Sequence, residues 1–254
     1  MAARTLPEFD SFEEGKENGD VYRARRNWIG PWSRSLVRAK ACYLSVWLDF
    51  PNHPDRWQAA QQYGVCLRMQ HRPIEGYLWL QGYALPARLP VTIGRLAEAN
   101  VMRDLGMCYS DARDFERAEV LFHQSLSVMG VGDENFDTPA VDQAATEVQL
   151  GRLNMRRGRF GTAAACYEGA RYIFASLMKK DENAAMQLLY MLLHEAQNDI
   201  ARGKPELARD KLAMVYGLRS VGSPIHQVKA HTLDLLAKHR FIVQAIFHTV
   251  TMRE

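Results

Sequence analysis

The sequence predicts an all-α fold built from repeated pairs of antiparallel helices, and three observations carry that prediction. From residue 33 onward, apolar residues recur at helical period. They are interrupted by short punctuation at Pro51 to Pro54, Arg72-Pro73, Leu89-Pro90, Thr138-Pro139, Gly158, Gly203 to Pro205 and Ser223-Pro224. No stretch alternates apolar and polar residues as a half-buried strand would. A recognisable pattern of small and large apolar residues also returns every 42 to 45 positions.

Composition limits the classes of function. The 254 residues are 47% hydrophobic, enough to bury a sizeable core, and the 24% charged residues sum to a net charge of +3. Neither wholesale disorder nor a strong nucleic-acid field follows from such totals. Cys42, Cys66, Cys108 and Cys166 contain no Cys-x-x-Cys pair, so they read as reduced, buried small hydrophobes, and a cytoplasmic location is expected. No run of 18 apolar residues occurs and the first twenty residues are acidic, so neither a membrane span nor a secretory peptide is expected.

Residues 1–20 carry six acidic residues and Gly15 and Gly19 without a sustained apolar period, and are expected to form a mobile leader. Residues 21–54 are expected to form a basic and aromatic capping region. There Arg23, Arg25, Arg26, Arg34, Arg38 and Lys40 interleave with Tyr22, Trp28 and Trp32. That stretch could hold phosphate or an acidic surface, or simply be the solvated face of a capping helix.

The repeats follow, over residues 55–222. The clearest runs Met102, Leu105-Gly106, Tyr109, Phe115, Ala118, Phe122 and Ser125. Gly106 and Ala118 let two helices approach closely while Leu105, Tyr109 and Phe122 fill the space beside them, and Ser125 is expected to face the next repeat. The pattern returns as Leu150-Gly151, Asn154, Phe160, Ala163, Tyr167 and Ala170, then as Ala196, Pro205, Ala208, Leu212 and Val215. It precedes as Tyr63-Gly64, Leu67, Pro73, Gly76, Leu80 and Tyr83, and Ala39, Tyr43, Val46 and Pro51 suggest a degenerate half-repeat before that.

These residues resemble the tetratricopeptide repeat. Asn154 and Asp199 depart from it by replacing an aromatic residue, and Glu195 by replacing a large apolar one. The 45-residue period and the link from Gly132 to Val141 are similar to the longer kinesin-light-chain type of repeat. The resemblance implies a right-handed superhelical solenoid of antiparallel helix pairs, with a concave wall lined by the first helix of each pair, where an extended peptide or a partner helix binds. It places Gln61, Val65 and Arg68 in the groove from the first repeat and Asn100, Arg103, Met107 and Ser110 from the second. Val148, Arg152 and Arg156 follow from the third, and Tyr190, Leu193 and Gln197 from the fourth. Arg103, Arg152 and Arg156 would suit an acidic peptide through their planar donor forks, unless they pair with Asp104, Asp111 or Glu147 of the chain itself. The two-carboxylate clamp of chaperone-binding members is not reproduced, because Met107 and Arg152 stand where asparagine would be expected.

Enzymatic patterns are weak. The eight histidines show no His-x-x-x-His or Cys/His ligand spacing, Gly-rich phosphate loops are missing, and neither a metal nor a cofactor is expected. Cys108 inside a helical repeat reads as core, and Trp47, Trp57 and Trp79 read as structural. Trp28 and Trp32, flanking Gly30-Pro31, could plug an open end or anchor a partner. Residues 223–254 are expected to form an apolar C-terminal helix in which Phe241, Ile242, Ile246 and Phe247 belong to a cap or to a second interface. The functional reading is a non-catalytic adaptor or assembly subunit binding protein or peptide, with no membrane insertion and membership of a larger complex as one option. The alternatives are a regulator that senses a short peptide and, less favoured, a nucleic-acid-binding protein.

Overall fold

A computed structural model describes residues 6–24, 34–84, 94–130, 139–178 and 182–217. The described residues form ten helices and no strand: α1 (Phe12–Ala24), α2 (Arg34–Asp49), α3 (Arg56–Met69), α4 (Pro73–Tyr83), α5 (Arg95–Asp111), α6 (Phe115–Gly130), α7 (Pro139–Arg156), α8 (Phe160–Leu177), α9 (Glu182–Ala201) and α10 (Pro205–Gly217). They divide into two units, Met1–Glu134 with α1 to α6 and Asn135–Glu254 with α7 to α10. Each odd-numbered helix packs on the even-numbered one that follows it. Trp28, Trp32, Phe241, Ile242, Ile246 and Phe247 lie outside the described residues, as does most of the Gly132 to Val141 link.

The same turn joins four of the five pairs. In each, three residues separate the helices, and the middle one is left-handed: His71 at φ 59°, Arg113 at 68°, Gly158 at 73° and Gly203 at 71°. The N–H of the third link residue reaches back to a carbonyl five positions earlier, as Arg72 to Leu67, Asp114 to Tyr109, Arg159 to Asn154 and Lys204 to Asp199. This closes the C-terminal carbonyls of the first helix and reverses the chain, so the pair must be antiparallel. The next helix starts at once, on proline at Pro73 and Pro205 and on phenylalanine at Phe115 and Phe160.

Inside a pair, a small residue on the first helix meets a large ring or branch on the second. A Cβ on Gly106 would stand 2.8 Å from the Phe122 ring, and one on Gly151 would stand 2.6 Å from the Tyr167 ring. Ala118, Ala163 and Ala208 are fully buried on the facing helices. Ser125 does not face the next repeat: its hydroxyl donates to the Ala99 carbonyl, 2.8 Å away on α5 of its own pair.

The expected mobile leader is corrected over residues 12–20, which belong to α1 and pack on α2. Glycines that lower helix propensity are here the contact surface: a Cβ on Gly15 would strike Val46, and one on Gly19 would strike the Tyr43 ring at 2.6 Å. Phe12, Val46 and Ala59 form one buried cluster, with Phe12 stacked on His53 at 4.0 Å. The half-repeat read from Ala39 and Tyr43 is therefore the second helix of a complete pair.

Asp20 fastens that pair, accepting from the Tyr43 hydroxyl at 2.6 Å and from Lys16 Nζ at 3.0 Å. Burial alone would raise the Asp20 carboxyl. The hydrogen bonds from Tyr43 and Lys16 and the charges of Lys16 and Arg23 outweigh it and hold the carboxyl below its ordinary value of 3.8. A lowered folded-state value stabilises above 3.8 and is lost as pH falls through it, so acid should weaken this pair only below that point. The urea midpoint of Asp20→Asn should fall less steeply than that of the unmodified chain as pH drops below 3.8, and parallel curves would dismiss the role.

The second unit has one continuous core running from Ala144 to Leu212, with Tyr167, Phe174, Met191 and Leu192 fully buried. Its departures from the repeat pattern are satisfied locally. Asn154 donates through Nδ2 to the Leu150 carbonyl at 2.9 Å. Glu195 and Asp199 are gripped by Lys211 of α10, with Arg171 of α8 and Arg202 completing the set.

Candidate functional site

One face of α3 and one face of α5 enclose a cleft of about 710 Å³ within the first unit. Helical spacing puts Trp57, Gln61, Val65 and Arg68 in line on α3, and Ala97, Asn100, Asp104 and Met107 in line on α5. Arg23 of α1 joins the lining, so the first helix of each of the three pairs contributes to it. The volume falls within the range of pockets that hold small ligands or a few residues of a peptide, about 300–1,000 Å³.

Two bonds tie the walls together. Gln61 donates through Nε2 to Asp104 Oδ2 at 2.6 Å, both residues being buried. Arg68 Nη1 donates to Asp111 Oδ2 at 3.0 Å, with the two side chains 17% and 26% exposed. The second bond is one of the pairings within the chain that compete with an external carboxylate for Arg68. Arg103 also interacts within the protein.

Of the residues placed in the groove from sequence, Gln61, Val65, Arg68, Asn100, Arg103 and Met107 all line this cleft. Ser110 is buried and is not among its lining residues. Arg152, Arg156, Val148, Tyr190, Leu193 and Gln197 belong to the second unit. There Arg152 donates to Gln149 Oε1 at 3.0 Å, Gln197 lies 3.3 Å from His194 Nδ1, and Arg156 is exposed. Leu193, at 1% exposure, is a core residue rather than a groove contact.

Sequence reasoning missed Arg23, Gln62, Leu96 and Asp104, and it assigned Trp57 to the core alone. Trp57 packs against the Leu80 and Leu105 cluster and lines the cleft as well. Its position four residues before Gln61 was the available signal, since both share one helical face. Trp47 and Trp79 pack edge-to-face at 5.1 Å between α2 and α4, as a structural role requires.

Cys108 is fully buried, and burial pushes its thiol up to about 12, the opposite of an activated nucleophile. Among the described residues no helix is long and apolar enough to cross a membrane.

No protein-family model matches the sequence, and no curated protein is significantly similar to it. Solved structures are similar in fold. A structure from P. vanneervenii, BtubC (BKLC), is 15% identical, with a TM-score of 0.58 over 83% of this chain and 83% of that one. The nearly identical TPR-like repeats of a kinesin-light-chain-type protein from Podosopora anserina, solved as a point variant, are 14% identical, with a TM-score of 0.53 over 89% of this chain and 100% of that one. The fold is thus of the tetratricopeptide-like class of stacked antiparallel helix pairs.

Proposed function

We propose that this protein is a non-catalytic interaction scaffold, an adaptor or assembly subunit, whose first unit holds a peptide or helix of a partner protein in the cleft between α3 and α5. The observation that carries the reading is convergence. Six residues chosen for their place in a repeat register, on two helices some forty positions apart in sequence, line one open cleft of about 710 Å³. Its polar rim and its apolar patches at Val65, Leu96, Met69 and Met107 are the mixture that a peptide backbone with side chains requires. The tetratricopeptide-like fold supports a protein partner by analogy.

The test is a selection of displayed random peptides on the full chain, followed by affinity measurement on Ala97→Arg. Ala97 is half-buried in the cleft lining, and a long charged side chain there occupies the space without removing an existing contact of the walls. Selected peptides should bind this variant about tenfold or more weakly while its helical circular dichroism stays unchanged. Equal affinity for both proteins would place peptide binding elsewhere.

A further inference from the structure

The wall of the cleft that comes from α1 is held differently from the other two. α3 and α5 share a core with α4, in which Ala60, Leu80, Val101, Leu105 and Cys108 form one buried cluster. α1 packs mainly on α2, and its own sequence argues against a helix, with Gly15 and Gly19 inside it. A helix of thirteen residues with that composition is not stable alone, so α1 is ordered only while it is docked.

Arg23 stands in the last turn of α1 and nevertheless lines the cleft. Its neighbour Tyr22 packs on the cluster of Leu36, Ala39, Tyr43 and Cys66, and so does Met69, which lines the cleft from the end of α3. The last turns of α1 and α3 therefore rest on one cluster at the same end of the cleft. Asp20 sets where Arg23 stands. Its Oδ1 accepts from the Tyr43 hydroxyl at 2.6 Å and lies 3.7 Å from Arg23 Nη2, while its Oδ2 accepts from Lys16 Nζ at 3.0 Å. Tyr43 is fully buried on α2, so the carboxylate is fixed to the core. The 3.7 Å separation is too long for a hydrogen bond, so Asp20 holds Arg23 by charge without consuming its guanidinium N–H donors.

We infer, resting on the peptide-binding reading above, that α1 is a ligand-linked wall of the cleft. A peptide whose carbonyl oxygens accept from Arg23 binds the docked helix, and Asp20 is the positioning residue that presents Arg23 to it. Docking of α1 and occupation of the cleft then reinforce each other through one shared contact. Undocking of α1 lowers the apparent affinity in proportion to the molecules in which Arg23 has left the wall.

The test uses the full chain and a fluorescein-labelled peptide from the selection above that loses affinity on Ala97→Arg. In hydrogen–deuterium exchange read by mass spectrometry, the α1 amides of the unliganded chain should exchange faster than those of α3 and α5, as a helix that undocks by itself must. Peptide at a free concentration of about ten times its Kd should slow the α1 amides about tenfold and leave those of the second unit unchanged. Arg23→Gln should weaken the peptide about tenfold, since a charge-assisted contact is lost. Asp20→Asn should speed exchange of α1 and weaken the peptide several-fold, yet cost no further affinity once Arg23 is already replaced, whereas a merely structural role would add its loss to that of Arg23→Gln. Exchange of α1 no faster than α3 or unmoved by the peptide, undiminished affinity of Arg23→Gln, or additive losses in the double variant would each overturn the inference and spare the peptide-binding reading. Failure of every selected peptide to respond to Ala97→Arg would overturn both.

Discussion

Lys211→Met is expected to destabilise the second unit by about 3 kcal/mol or more, because it strips a buried pair of carboxylates of their central cation. Glu195 and Asp199 have side chains 6% and 2% exposed, and Lys211 Nζ lies 3.0 Å from Glu195 Oε1 and also contacts Asp199 Oδ2. Arg171 at 3.2 Å and Arg202 at 3.7 Å remain, but each reaches only one carboxylate. The equivalent positions of the α5/α6 pair are Leu105, Tyr109 and Leu121. The triple variant Glu195→Leu, Asp199→Tyr, Lys211→Leu should therefore regain the loss and could exceed the native stability, since apolar packing replaces a desolvated ion set. All five tryptophans lie at or before residue 79, so fluorescence reports the first unit, and an earlier loss of circular dichroism in urea reports the second. A single variant within about 1 kcal/mol of the native protein would show that the network is solvated and unimportant.

The second large effect is expected at Gly76→Val. A Cβ at Gly76 would stand 3.0 Å from the Gly64 carbonyl oxygen and 3.3 Å from the Arg68 backbone nitrogen. These are atoms of the facing helix, and they cannot swing aside as a flexible side-chain end can. Three of the other pairs carry Ala118, Ala163 and Ala208 at this position, so a methyl group is the most that the repeat places there and a branched side chain exceeds it. Forcing them apart should cost about 3 kcal/mol and disturb the cleft wall at Arg68, both read from the tryptophan unfolding curve. Gly169→Ala is the control, since that glycine is exposed in the middle of α8 with nothing within 4 Å, and it should gain about 0.5–1 kcal/mol from helix propensity alone, read by circular dichroism because the tryptophans lie in the other unit. Equal behaviour of the two variants would remove close approach as the reason for Gly76.

How much was legible in the sequence varied with the kind of force involved. Gly158 and Gly203 marked two of the recurring turns, because glycine adopts a left-handed backbone at little cost. His71 and Arg113 adopt the same conformation without that advantage. Arg72-Pro73 marks the first of these turns, whereas the second follows from the register of neighbouring repeats and not from local composition. The helix α1 was illegible for the opposite reason. Gly15, Gly19 and the acidic residues argue locally against it, and only burial of Phe12 with Val46 and Ala59 and the bond from Tyr43 to Asp20 offset that preference. Likewise no local rule pairs Lys211 with Glu195 and Asp199, which lie one turn apart on the preceding helix.

The sequence by itself determined the helix-pair class and the register of the repeats. Periodicity reports which side of a helix is buried, and a repeat multiplies that signal. The tertiary structure alone decided that the first pair is complete, that Trp57 serves core and cleft together, and that Arg68 is already matched by Asp111. These depend on which groups meet across helices distant in the chain, where distance and desolvation set the outcome.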